Sequence, residues 1–162
     1  MHLGLRLFLP FAAGYFLSYL LRNVNAVIAP ELTRELGVSA ADLGLLTSAY
    51  LLAFSAFQLP LGYGPRRVEA GLLLVAAAGS AWFAVGTSLT ELALARAAIG
   101  LGVCACLMAA FKAFSVWYPV ERLPSLNAAV MVAGGLGALA ATTPLAWAVP
   151  VFGWRGLFLV LA

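Results

Sequence analysis

Arg22 is the residue in this chain best suited to hold a charged ligand. It lies in an apolar run from Leu7 to Ala29, where Tyr15, Ser18, Tyr19, Arg22 and Asn25 recur at spacings of three and four. On a helix those positions share one face, a polar stripe of hydroxyls, an amide and a guanidinium, with Asn23 at its margin. A guanidinium pairs a carboxylate or phosphate bidentately. Arg22 stands ~24 Å along the helix from Arg6, at a depth where a charge should face protein or water. Three readings stay open: an anion ligand, a structural or gating contact, and a side chain snorkelling to the membrane surface.

Arg96 lies a few residues inside another apolar run, at a depth similar to that of Arg22. The two predict a cavity with a pair of guanidiniums and no intramembrane carboxylate, which favours anions over cations. Snorkelling is the alternative for Arg96; Lys112, whose stem reaches towards the interface near Trp117, reads as a snorkelling residue or as one with a substrate or proton-linked role. His2 is the sole histidine and sits at the terminus, so no histidine-based catalytic site or zinc cluster is expected. Cys104 and Cys106 are two apart in one run. That spacing puts them on different helix faces and predicts neither disulfide nor metal site. The glycines fall inside apolar runs rather than between a strand and a helix, which argues against a phosphate-cradling loop. The expectation is no enzyme, no catalytic residue, no metal and no cofactor.

The elements that position these side chains are membrane spans. Hydrophobic residues make up 64% and charged residues 9% of 162, where a soluble domain carries about a quarter charged. A net charge of +3 without a basic cluster excludes nucleic acid as a partner. A bilayer core takes about 20 apolar helical residues. Runs of that length fall at about 7–29, 40–63, 68–87, 89–118 and 125–149, with the start of a sixth from 156. The fold class is therefore all-α integral membrane, one partial domain over 1–162. The first run has no small-x-small cleavage site before Arg22 and reads as an uncleaved span. Pro30 follows that span, and Ser39–Asp42 and Ser88–Glu91 fit the capping pattern that opens a helix.

Charge orients the spans. With the N-terminus inside, Arg6, Arg66, Arg67 and Arg122 lie on the cytoplasmic side, against Arg34 and Arg155 outside, as the positive-inside rule requires. Gly62 and the Arg66-Arg67 pair mark a tight inner turn. The fifth run carries Gly134, Gly137, Ala138, Ala141 and Thr142 at four-residue spacings, then Pro144. Small residues let helices approach closely and proline weakens a helix, so this run reads either as a pliant gating helix or as tight packing.

Several of these stretches resemble the major facilitator superfamily. Leu59-Pro60-Leu61-Gly62-Tyr63-Gly64-Pro65-Arg66-Arg67 is similar to the family loop G-x-x-x-D-R-x-G-[RKP]-R, shortened by roughly five residues that include its Asp-Arg pair. Arg96-Ala97-Ala98-Ile99-Gly100-Leu101-Gly102-Val103-Cys104 resembles the fourth-helix motif R-x-x-x-G-x-G-x-[GA]. Phe152-Gly153-Trp154-Arg155 resembles the turn into the sixth helix. The resemblance implies the N-terminal half of a secondary carrier for a small solute, an organic or inorganic anion on the charge balance. It implies a multi-pass cell (bacterial-type inner) membrane protein whose partners are the lipid bilayer, the solute and a second half or partner membrane protein. The missing Asp-Arg pair removes an inward-side latch, and the reading expects a truncated form without transport of its own. The alternative is a small membrane scaffold that packs on a partner subunit through its Gly/Ala-rich helix faces.

Overall fold

The computed structural model describes the backbone of residues 2–61 and 67–162 and the side chains of 8–58 and 70–162. The described residues form α-helices α1 (His2–Leu36), α2 (Ala40–Leu61), α3 (Arg67–Val85), α4 (Leu89–Val103), α5 (Cys106–Trp117), α6 (Leu123–Ala140) and α7 (Thr143–Leu161). A single 3-10 turn, Val120–Arg122, precedes α6. The all-α membrane fold expected from composition is the fold found. Four helical stretches among the described residues are long and apolar enough to cross a membrane: Ala40–Gln58, Leu89–Trp117, Val120–Ala140 and Thr143–Leu161.

Local chemistry sets the helix ends. Gly37, at φ 66°, terminates α1 in the left-handed conformation that glycine adopts without steric cost, and its N–H donates to the Thr33 carbonyl at 3.1 Å. Both predicted capping patterns form. The Ser88 hydroxyl accepts from the Glu91 N–H while the Glu91 side chain accepts from the Ser88 N–H. Ser39 and Asp42 make the same reciprocal pair ahead of α2.

The helix boundaries correct the sequence reading in four places. Pro30 does not end the first helix, because α1 runs on to Leu36 with Pro30 exposed inside it. The lost N–H affects one bond, a loss that membrane helices tolerate. The run 89–118 is divided at Cys104–Ala105, just after Gly100 and Gly102, where the Cys104 N–H turns back to the Leu101 carbonyl at 3.4 Å. The run 125–149 is divided at Ala141–Thr142. Pro144 follows in the first turn of α7, where its missing N–H is harmless and its ring disfavours helix before it. A further break stands at Gly153 (φ 67°, ψ 162°) inside α7, so the helix after the Gly-Trp-Arg turn begins at Trp154 rather than at 156.

Packing follows the small residues. α4 lies along α2 and α3, α1 along α6, and the last turns of α7 along α3. Phe83 of α3 packs tilted against Phe158, ring centres 4.4 Å apart, and meets Trp154 edge-on at 5.8 Å. Ile28, Leu32, Leu46, Leu92, Ile99 and Phe114 fill the interior.

Candidate functional site

The polar face of α1 lies between its contacts with α2 and α6. On the α6 side, Tyr15 is buried and meets Tyr19 edge-on at 5.0 Å, and both rings close on Gly134. On the α2 side, the buried Asn25 side chain donates from Nδ2 to Thr47 Oγ1 at 3.0 Å. Ser18 is buried beside it, and its backbone carbonyl accepts from the Tyr50 hydroxyl at 3.3 Å. Arg22 stands between these contacts and is exposed, its guanidinium 5.9 Å from the Tyr19 ring centre, within cation–π range. The salt bridges among the described residues join Arg34 to Glu31 and Arg155 to Glu35, so neither engages Arg22. The stripe thus presents a guanidinium to the open side, with its flanking residues tied to α2 or α6.

Arg96 is not part of that open face. It is fully buried, donates from Nη1 to the Leu21 carbonyl at 2.9 Å and lies 4.9 Å from the Tyr50 ring centre. Nε and Nη2 have no hydrogen-bond partner. The expected cavity with two guanidiniums therefore does not form. Arg96 reaches the depth of Arg22, since it bonds the carbonyl one residue earlier, but it does so as a tie from α4 to α1 and α2.

The rest of the fourth-helix motif explains this burial. A Cβ on Gly100 would fall 2.3 Å from the Tyr50 carbonyl oxygen of α2, and one on Gly102 would fall 2.4 Å from the Ala76 nitrogen of α3. The arginine and two glycines thus fasten α4 to three neighbouring helices. In α6, Gly134 faces the Tyr15 ring and Gly137 abuts the Phe16 backbone. Of the small residues in this run, Gly134, Gly137 and Ala141 are buried inside the bundle, Ala138 is half-buried, and Gly135 and Thr142 are exposed, Gly135 with room for a side chain. Gly62 and Arg66, the predicted inner-turn residues, lie outside the described residues, as does the side chain of Arg67.

A second cluster escaped sequence reasoning. At the end of the bundle bearing the C-terminus of α1, Trp154 Nε1 donates to Glu35 Oε2 at 2.6 Å and Arg155 Nε donates to Glu35 Oε1 at 3.0 Å. Arg155 Nη1 also donates to the Ala84 and Gly86 carbonyls at 2.7 and 3.0 Å, and its guanidinium stacks 4.2 Å from the Trp154 ring centre. One carboxylate and one guanidinium join α1, α3 and the Gly153 break. The Trp154 hydrogen bond foremost, then Arg155, holds the Glu35 carboxyl below its usual value of 4.5. A depressed carboxyl pKa contributes stability that is complete above pH 4.5 and is lost as pH falls through the lower folded value. Glu35→Gln should therefore lower the melting temperature at pH 7, and the gap to wild type should narrow as the pH is taken below 4.5. A gap that stays constant across this range would show that the Glu35 carboxylate does not contribute to stability through its ionised form.

A profile of the Major Facilitator Superfamily matches residues 11–162. The chain is 30% identical over 152 residues to the hexuronate transporter of Escherichia coli (strain K12), covering 91% of this chain and 35% of that protein. It is 29% identical to the galacturonate transporter of Dickeya chrysanthemi, over 91% of this chain and 44% of that protein. With the 4-hydroxybenzoate transporter PcaK of Pseudomonas aeruginosa it shares 34% identity, over 90% of this chain and 34% of that protein. The chain thus spans between about a third and under a half of the length of these curated relatives. The helical fold, the α4 motif that ties three helices, and these matches agree: this multi-pass membrane chain belongs to the Major Facilitator Superfamily.

Proposed function

We propose that this chain supplies one helical bundle of a secondary carrier for small organic anions, with Arg22 as the carboxylate ligand. The observation that carries the reading is Arg22 itself: exposed on a polar face, flanked by Tyr19, and in neither of the ion pairs found among the described residues. A guanidinium held at membrane depth is costly unless it serves water or an anion. Relatives named for hexuronate, galacturonate, L-galactonate, sulfoacetate and 4-hydroxybenzoate transport support an anionic cargo. Tyr15, Ser18, Tyr19 and Asn25 shape the site, while Arg96 is a positioning residue that holds α1 from behind.

In this reading the N-terminus is cytoplasmic, the protein sits in the cell membrane, and the open face of α1 meets a second six-helix half. Alternating access then rocks the halves around a midplane site. The Ala141–Thr142 break and Pro144 give the gating helix its bend, and Gly62 with Arg66 and Arg67 forms the inner turn.

Produced together with a second six-helix half in cells lacking their own hexuronate carriers, the chain should drive uptake of labelled galacturonate or 4-hydroxybenzoate. Neutral galactose should not accumulate. Uptake of galactose at a rate equal to galacturonate, or no uptake of any of these anions, would sink the proposal.

A further inference from the structure

Thr47 and Asn25 form a junction whose hydrogen-bond polarity differs from that of Arg22. The Thr47 hydroxyl lies 3.0 Å from the Leu43 carbonyl, which accepts only, so its proton is committed there. Towards Asn25, also at 3.0 Å, the hydroxyl oxygen must then accept, and this fixes the Asn25 amide with Nδ2 pointing at Thr47. Asn25 Oδ1 is left buried with no donor, in a side chain that is only 5% exposed. A buried carbonyl oxygen without a donor is costly, and a donor from water or a ligand relieves it. Thr47 is exposed at the same seam, with one lone pair of its oxygen uncommitted. The α1–α2 seam is therefore an acceptor-only patch beside a donor-only guanidinium.

The two lie close together. Arg22 and Asn25 are three residues apart on α1, which places their Cβ atoms about 5–6 Å apart on one helix face. A ligand whose carboxylate sits on Arg22 can then bring a hydroxyl one or two carbons away to the uncommitted lone pair of the exposed Thr47 Oγ1. Hydroxyl groups donate. Methylene groups and additional carboxylates do not, and a second carboxylate would be repelled by the acceptors.

Resting on the anion-site reading above, we infer that the α1–α2 seam selects hydroxy acids, with Thr47 as a specificity-determining residue and Asn25 as its positioning partner. A site built to hydrogen-bond a hydroxyl disfavours the analogue lacking it, because the Thr47 oxygen, desolvated beneath the bound ligand, would go unpaired.

The test is calorimetric binding of D-gluconate and hexanoate, which share chain length and carboxylate, to the purified full-length protein in nanodiscs. Wild type should favour gluconate by about 10-fold or more, the effect of one or two hydrogen bonds. Thr47→Val, close in shape but without the acceptor, should bring the ratio near one while hexanoate still binds. Thr47→Ser should restore the preference, separating loss of the acceptor from loss of folding. An unchanged ratio in a folded Thr47→Val protein, or equal binding of both acids to wild type, overturns the hydroxyl selection and leaves the anion site standing. Failure of both acids to bind wild type overturns the anion site and this inference with it.

Discussion

Replacing Gly137 with alanine is expected to destabilise the bundle by about 3 kcal/mol, the upper part of the range for overpacking a rigid contact. The added Cβ would fall 2.1 Å from the Phe16 carbonyl oxygen and 2.9 Å from its carbon. Both atoms belong to the α1 backbone, so no rotamer change relieves the clash. Either α6 moves away, giving up contacts along the α1–α6 face, or the helix α1 bends. Gly135→Ala is the matched control. It adds the same methyl two residues away, meets nothing within 4 Å, and should stabilise the helix by up to about 1 kcal/mol because glycine is the poorer helix former. Thermal unfolding of the two variants in the same detergent checks this. Equal melting temperatures would show that the α1–α6 approach is looser than described.

Arg22→Ala should raise the apparent KM for organic anion uptake by about 10- to 100-fold, because a hydrogen bond to a charged group is worth about 1.5–3 kcal/mol. Arg22→Lys should recover part of this loss, since lysine keeps the charge but not the planar fork that grips both carboxylate oxygens. Concentration series of labelled galacturonate in cells producing each variant read this out, with protein amount in the membrane measured alongside. A fall in maximal rate at unchanged KM would reassign Arg22 from ligand to gating. Arg96 provides the contrast: being sealed from the open face, its loss should act through the geometry of α1 and α2 instead of through direct contact with the solute.

Local signals in the sequence were reliable wherever the physics is local. Composition, run length and the S-x-x-D/E caps rest on neighbours within a helical turn, and they led to the membrane class and to both observed capping pairs. The stripe Tyr15–Ser18–Tyr19–Arg22–Asn25 was legible because helical periodicity fixes which residues share a face. What the stripe touches was not. Thr47 is 22 residues from Asn25 and Trp154 is 119 from Glu35, and no spacing rule connects such pairs.

The same limit explains Arg96. An arginine near the end of an apolar run invites a cavity or snorkelling reading, since full burial of a charge is rare. The signal that could have corrected it was present in Gly100 and Gly102, whose missing side chains bring α2 and α3 against α4 and leave the arginine no open side. The helix breaks were half legible. Pro144 announced a weak point in the fifth run, and the break stands just before it, at Ala141–Thr142, a position that the proline alone does not fix to the residue. Pro30 misled because a proline rule from water was applied where one lost hydrogen bond does not end a helix.

Whether Arg22 is the carboxylate ligand is read without any transport step by calorimetric titration of galacturonate into the purified protein at pH 7. Wild type should bind galacturonate but not galactose, and Arg22→Ala should lose about 10- to 100-fold in affinity. Equal affinity of wild type and Arg22→Ala for galacturonate would contradict that role.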